Sequence, residues 1–173
     1  MTAQATTPTG QSTIVLALDE GEPMWFNNDL LTVKATGGQT DGGFLLLEEL
    51  ARRGKVTPLH THPTETESFY MLSGEALFHI DGAEGAVESG GFVSVPPGVP
   101  HAYLVTSESA RTLVLITPGN GSMESFFRDA GEPAAKLELP PEGPLDIERI
   151  GAAAERSGAV KILGPPPFQE PQT

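Results

Sequence analysis

The chain has 173 residues, 23 acidic against 10 basic side chains, a net charge of −13 and no cysteine. This length suits one domain with a core of its own, without covalent staples. The composition excludes disulfides, thiolate metal sites and a cysteine nucleophile, and it offers no basic run for nucleic acid. The polar start, MTAQATTPTGQS, lacks a signal pattern, and apolar runs such as Phe44–Leu47 are too short to span a bilayer. The expectation is a cytoplasmic protein that engages neither nucleic acid nor membrane.

Twenty Gly and sixteen Pro punctuate short apolar runs, which points to many strands and turns. Residues 1–11 read as a loose polar tail. Ser12–Leu18 is β-prone and is expected to be the first strand, with a turn over Asp19–Pro23. Met24, Trp25 and Phe26 follow, and the lone tryptophan is expected to plug one end of the fold. Leu30–Thr36 reads as a strand and the glycine-rich 37–43 as a loop. Phe44–Leu50 has helix-favouring Leu and Glu, yet its shortness between Gly43 and Gly54 favours strand.

Further strands are expected at Val56–His62, Ser68–Ser73, Ala76–Ile80, Phe92–Val95, Ala102–Thr106 and Arg111–Thr117. The turn chemistry of Ser73-Gly74-Glu75 predicts a hairpin between its neighbours. Regularly spaced short strands suggest an all-β sandwich or closed barrel over 12–118. Beyond Pro118 the pattern changes to a helical, Pro-rich extension over 119–173. Ser122 is expected to cap a helix through Ala130, stopped by Gly131 and Pro133, with Phe126 and Phe127 packing it on the barrel. A second helix is expected from Asp146 or Pro144 to about Arg156, with Gly158 as its C-terminal cap. Gly164-Pro-Pro-Pro is expected to end the ordered chain.

The chemistry concentrates in 54–74. His60 and His62 are two apart, so on a strand they face one way and converge without backbone distortion. Glu67 opens the next strand, from which it can reach the same point. His101 follows a rigid Pro96-Pro97-Gly98-Val99-Pro100 bend that aims it back there. Three imidazoles and a carboxylate suit one divalent transition metal, with Fe, Ni, Mn, Co, Cu and Zn all compatible, and leave positions open for substrate. Glu65 lies near enough to compete with Glu67 for the carboxylate role. His79 stands outside any motif and reads as structural. An exposed β-edge and the N-terminal strand suggest a homodimer.

Gly54, His60, His62, Glu67 and Gly74 match G-x5-H-x-H-x4-E-x6-G, and Gly90, Pro96, Gly98 and His101 match G-x5-P-x-G-x2-H. These patterns resemble the two motifs of the cupin superfamily, which implies a jelly-roll-like, double-stranded β-helix barrel. The second motif usually ends in Asn; Val105 stands there, which implies a drier pocket or a different strand contact. PHAYLV and TPGNGSMESFFRDAGEPA extend the likeness to bacterial single-cupin quercetin 2,3-dioxygenases over about 24–135. That resemblance implies a metal-dependent dioxygenase that opens a flavonol or similar enolisable aromatic with O2 and releases carbon monoxide. It implies Glu67 as ligand and catalytic base, and His60, His62 and His101 as the remaining ligands. Strand parity adds Phe69 and Met71, on the face of Glu67, and Tyr103 and Val105, on the face of His101, as walls for an apolar aromatic substrate. Cupins also host isomerases, polyketide-tailoring cyclases and non-catalytic binding proteins, and these are the alternatives.

Overall fold

A computed structural model describes residues 13–168. The expected tail over 1–11 lies outside the described residues, as does Ser12. Two antiparallel sheets face each other. The larger has the order β11-β1-β2-β3-β10-β5-β8 and the smaller β12-β4-β9-β6-β7. The larger comprises β1 (Glu22–Phe26), β2 (Asp29–Ala35), β3 (Leu45–Arg52), β5 (Thr66–Ser73), β8 (Phe92–Val95), β10 (Ser109–Thr117) and β11 (Glu132–Pro133). The smaller comprises β4 (Leu59–Thr61), β6 (Glu75–Ile80), β7 (Ala83–Glu88), β9 (His101–Val105) and β12 (Lys161–Gly164). Helices α1 (Ser122–Ala130) and α2 (Ile147–Ser157) complete the chain. This is the expected all-β barrel with a short helical extension. Among the described residues no helix is long and apolar enough to cross a membrane.

The core follows from alternation. Along β3, Leu45, Leu47, Glu49 and Ala51 point inward while Leu46, Glu48, Leu50 and Arg52 lie nearer solvent. The inward parity of β5 buries Glu67, Phe69 and Met71, and that of β9 buries His101, Tyr103 and Val105. Strand, not helix, is therefore the state of 45–52, because period two is what puts Leu45 and Leu47 on one buried face.

Several expectations are corrected. Residues 13–18 form no strand; Val15 and Leu18 are exposed and the chain turns at Glu20, whose N–H bonds the Ala17 carbonyl at 3.1 Å. β-Propensity without a strand to pair with does not make a ladder. Trp25 does not plug the barrel. It is half-buried on β1, and its indole N–H donates to the Glu138 carbonyl at 2.8 Å.

The predicted hairpin at Gly74 is instead a corner. β5 pairs with β10 and β8, whereas β6 pairs with β7 and β9, so the chain changes sheets between Ser73 and Glu75. Gly74 takes φ 83°, and a Cβ there would strike the Ser109 carbonyl. The true hairpin is β6–β7, closed by Asp81 and Gly82 at φ 49° and 83°, the Asp-Gly chemistry of a tight primed turn.

Ser122 is not a cap. Gly121 precedes α1, and the Ser122 hydroxyl is drawn away to the Glu65 carboxylate and to Asn120. Phe126 and Phe127 seat α1 on β1 by edge contacts with Phe26, at centroid separations of 5.7 and 5.4 Å. Helix α2 begins after Asp146, whose side chain accepts from the Arg149 N–H at 2.9 Å, and ends at Gly158 with φ 65°. No sequence signal announces the last strand, β12, which runs up to Gly164 and pairs antiparallel with β4 at Lys161↔Thr61, Ile162↔His60 and Gly164↔Leu59.

Candidate metal centre

The smaller sheet supplies two imidazoles, the residue just after β4 supplies a third, and the larger sheet supplies one carboxylate. His60 on β4 and His101 on β9 are direct cross-strand partners. His62 follows β4 and is tied to the second motif by the Gly98 N–H, which donates to the His62 carbonyl at 2.8 Å. Gly98 holds φ 78°, a conformation open to glycine, and this places its N–H there. Glu67 does not come from a strand adjacent to β4, as expected. It reaches across the barrel interior from β5 in the opposite sheet.

One ligand atom from each of His60, His62, Glu67 and His101 falls in a group whose members all lie within 4.8 Å of one another. All four residues are buried. The His62 and His101 Nε2 atoms are each 3.1 Å from Glu67 Oε2, and the His60 ring lies 4.2 Å from that of His101.

Every imidazole is oriented from behind. His60 Nδ1 donates to the Pro58 carbonyl at 2.8 Å, His62 Nδ1 to Ala159 at 2.9 Å and His101 Nδ1 to Val99 at 3.0 Å. A carbonyl only accepts, so each Nδ1 carries a proton and each ring turns its Nε2 inward. An inward Nε2 and a carboxylate oxygen 3.1 Å apart share a cation between them, either a proton or a metal ion. The donor set therefore fits a divalent transition metal.

Electrostatics agree. Burial, together with the like charges of His101 and His62, pushes His60 down to about 4. Burial also presses on His62, but the charge and hydrogen bond of Glu67 outweigh it and raise that imidazole. For Glu67, burial alone would raise the carboxyl; His62 and His101 overcome this and hold it well below the usual range.

The other candidates separate cleanly. Glu65 is 1% exposed but sits outside the group, accepting from Asn120 Nδ2 at 2.8 Å and from the Ser122 hydroxyl. It fastens α1 to the barrel. His79 pairs with Glu84 across β6–β7 at 3.4 Å and is not part of the group. Phe69, Met71, Tyr103 and Val105 are all buried in the apolar core. Phe69 and Phe78 stack edgewise at 5.2 Å, and each meets the Tyr103 ring within 5.7 Å. Val105 packs in the same apolar cluster, and its backbone bonds both Lys55 and Gly54.

Three features escape a reading of spacing. Ala159 holds His62 through its carbonyl, which no side-chain pattern encodes. β12 covers the edge of β4. A buried ionic group lies under Tyr103, whose hydroxyl donates to Glu49 at 2.7 and 2.8 Å, while Lys55 bridges Glu49 and Asp29. For that group a signal existed: Glu49 shares strand parity with Leu45 and Leu47, and a charge on a buried face calls for a partner.

Residues 46–117 match the family described as Cupin domain. Over 126 residues, 73% of this chain, it is 31% identical to quercetin 2,3-dioxygenase of Bacillus subtilis, of which it spans 37%. Among solved structures it resembles a predicted oxalate decarboxylase from Thermotoga maritima, with a TM-score of 0.55 and 21% identity, over 60% of this chain and 97% of that one. It also resembles the Streptomyces nucleoside dehydratase Pac13, with a TM-score of 0.51 and 18% identity, over 61% and 82%. The two structural likenesses carry the fold alone. Through residues 46–117 the chain belongs to the cupin superfamily, and within it resembles bacterial quercetin 2,3-dioxygenase.

Proposed function

We propose that this protein is a metal-dependent dioxygenase of the quercetinase-like cupin type, acting with O2 on a flavonol or a similar enolisable aromatic. The observation that carries this reading is the buried Glu67 carboxylate held 3.1 Å from the Nε2 atoms of His62 and His101. The 31% identity to quercetin 2,3-dioxygenase supports the particular reaction.

His60, His62, Glu67 and His101 would hold the ion, which would supply Lewis acidity. The metal is one of Fe, Ni, Mn, Co, Cu or Zn. Glu67 has a second task as catalytic base. Its carboxylate accepts the proton of the substrate's enolic hydroxyl. The ring opens with uptake of O2 and release of carbon monoxide. Phe69, Met71, Tyr103 and Val105 wall the substrate with apolar surface and exclude water, and Val105, where the motif usually carries Asn, keeps that wall dry. The Tyr103 hydroxyl is committed to Glu49, so Tyr103 offers the substrate a ring face. The protein works in the cytoplasm as a homodimer, for which Tyr70 and Phe92, exposed cross-strand partners at the edge of the larger sheet, give an uncharged face.

Oxygen consumption by metal-loaded protein with a panel of flavonols tests the reaction. Uptake with carbon monoxide release is expected, and no uptake with any flavonol rejects it. Glu67→Ala is expected to lose turnover far more than metal content; equal loss of both would leave Glu67 as a ligand without a role as base.

A further inference from the structure

β4 is three residues long and meets β9 at one residue pair, His60↔His101. On its other edge it meets β12 at three positions, opposite Leu59, His60 and Thr61. The strand that carries His60, and leads directly into His62, two of the three metal-group histidines, is thus held mainly by the C-terminal segment. That segment also touches the group directly, because the buried Ala159 carbonyl accepts from His62 Nδ1 at 2.9 Å. Ala159 is placed in turn by the end of α2. Gly158 adopts φ 65° and closes the helix with its N–H on the Ala154 carbonyl at 3.0 Å, while the Ala159 N–H donates to the Ser157 hydroxyl at 3.2 Å. Ala153 and Ala154 bury the inner face of α2, so the helix end is anchored.

We propose that the turn Ser157–Ala159, together with β12, is a positioning element of the metal centre: it fixes the tautomer and aim of His62 and closes the open edge of β4. The inference rests on the metal-binding reading above and deepens it. A histidine ligand depends on the acceptor behind it, and loss of such a partner typically costs 10–100-fold in metal affinity. Here the acceptor is a main-chain carbonyl lying 97 residues away in sequence, outside the motif stretch 54–101.

Gly158 allows a clean perturbation. A Cβ at this position would meet nothing within 4 Å, so a substitution acts through the left-handed backbone and not through a clash. Gly158→Val disfavours that conformation strongly, whereas Gly158→Asn tolerates it. Ser157→Ala removes the hydroxyl that holds the Ala159 N–H and is the second probe. Co(II) affinity by chelator competition and the visible d–d spectrum of the Co(II) protein are the readouts, with urea unfolding of each metal-free variant alongside.

The expected result is roughly a tenfold or greater loss of affinity for Gly158→Val. Its d–d bands shift, Ser157→Ala moves the same way by less, and Gly158→Asn stays close to the parent. If Gly158→Val does not fold, a band shift in Ser157→Ala supports the proposal and an unchanged spectrum overturns it. Folded variants with parental affinity and unchanged bands overturn the positioning role while the metal-binding reading stands. A parent protein that binds no Co(II) overturns both.

Discussion

Replacing Lys55 by Met should cost this protein a large part of its stability. Lys55 Nζ contacts Asp29 and lies 3.3 Å from Glu49 Oε1, and all three side chains are buried. At that separation a unit pair is worth about 5 kcal/mol at an effective dielectric of 20, before the cost of desolvating the ammonium is set against it. Met retains the aliphatic stem but loses the ammonium, which lies 5.8 Å from the Phe26 and Tyr103 ring centres, and leaves two buried carboxylates without their cation. Removing one partner of a buried pair costs about 3–5 kcal/mol, and that is the loss expected. Urea unfolding of the metal-free protein measures it, as a lower midpoint at unchanged slope. Adding Asp29→Asn and Glu49→Gln to Lys55→Met should recover much of the loss, because no charge is then left unpaired. A loss under about 1 kcal/mol for Lys55→Met would refute the reasoning, since it would show that the carboxylates find water or each other's proton at little cost.

Acid should act through His60. Its folded value is about 4 against an ordinary 6.5, so between these the unfolded chain binds more protons and stability falls as pH is lowered through the window. The contribution is about 3 kcal/mol, fully present above pH 6.5 and gone below about 4. Chelated wild type and His60→Gln, unfolded in urea at pH 7.5 and pH 4.5, should therefore differ in their acid sensitivity by roughly 2–3 kcal/mol; parallel losses would contradict it. Gly74→Ala should destabilise by about 2 kcal/mol or more, because the residue must hold a positive φ and its Cβ meets the Ser109 carbonyl; thermal unfolding within a degree of wild type would show that the corner relaxes freely.

The ligands were legible because strand parity and short spacing encode them. His60 and His62 two apart, and Glu67, Phe69 and Met71 on alternate residues, say which side chains share a face. What parity cannot state is which strands are neighbours. Ser73-Gly74-Glu75 has the chemistry of a reversal, and a corner between sheets needs the same left-handed glycine as a hairpin. Likewise the short turn over 63–66 suggests that Glu67 stands on a strand adjacent to His60 and His62, whereas it comes from across the barrel. β12 was hidden for another reason: Lys161, Ile162 and Leu163 are exposed, so its pairing with β4 is a backbone matter with no apolar alternation to announce it. Ser122 looked like a cap until Glu65, 57 residues earlier, competed for its hydroxyl. In each case a contact distant in sequence overrode a sound local preference.

The central claim is that His60, His62, Glu67 and His101 together hold one transition-metal ion. Elemental analysis of protein loaded with Fe(II), Ni(II), Mn(II) or Co(II) and then desalted tests it most directly, with His62→Ala and Glu65→Gln measured beside the wild type. The account predicts about one ion per chain in the wild type and in Glu65→Gln, and little in folded His62→Ala. Wild-type protein that retains no metal, or His62→Ala that retains as much as wild type, would contradict it.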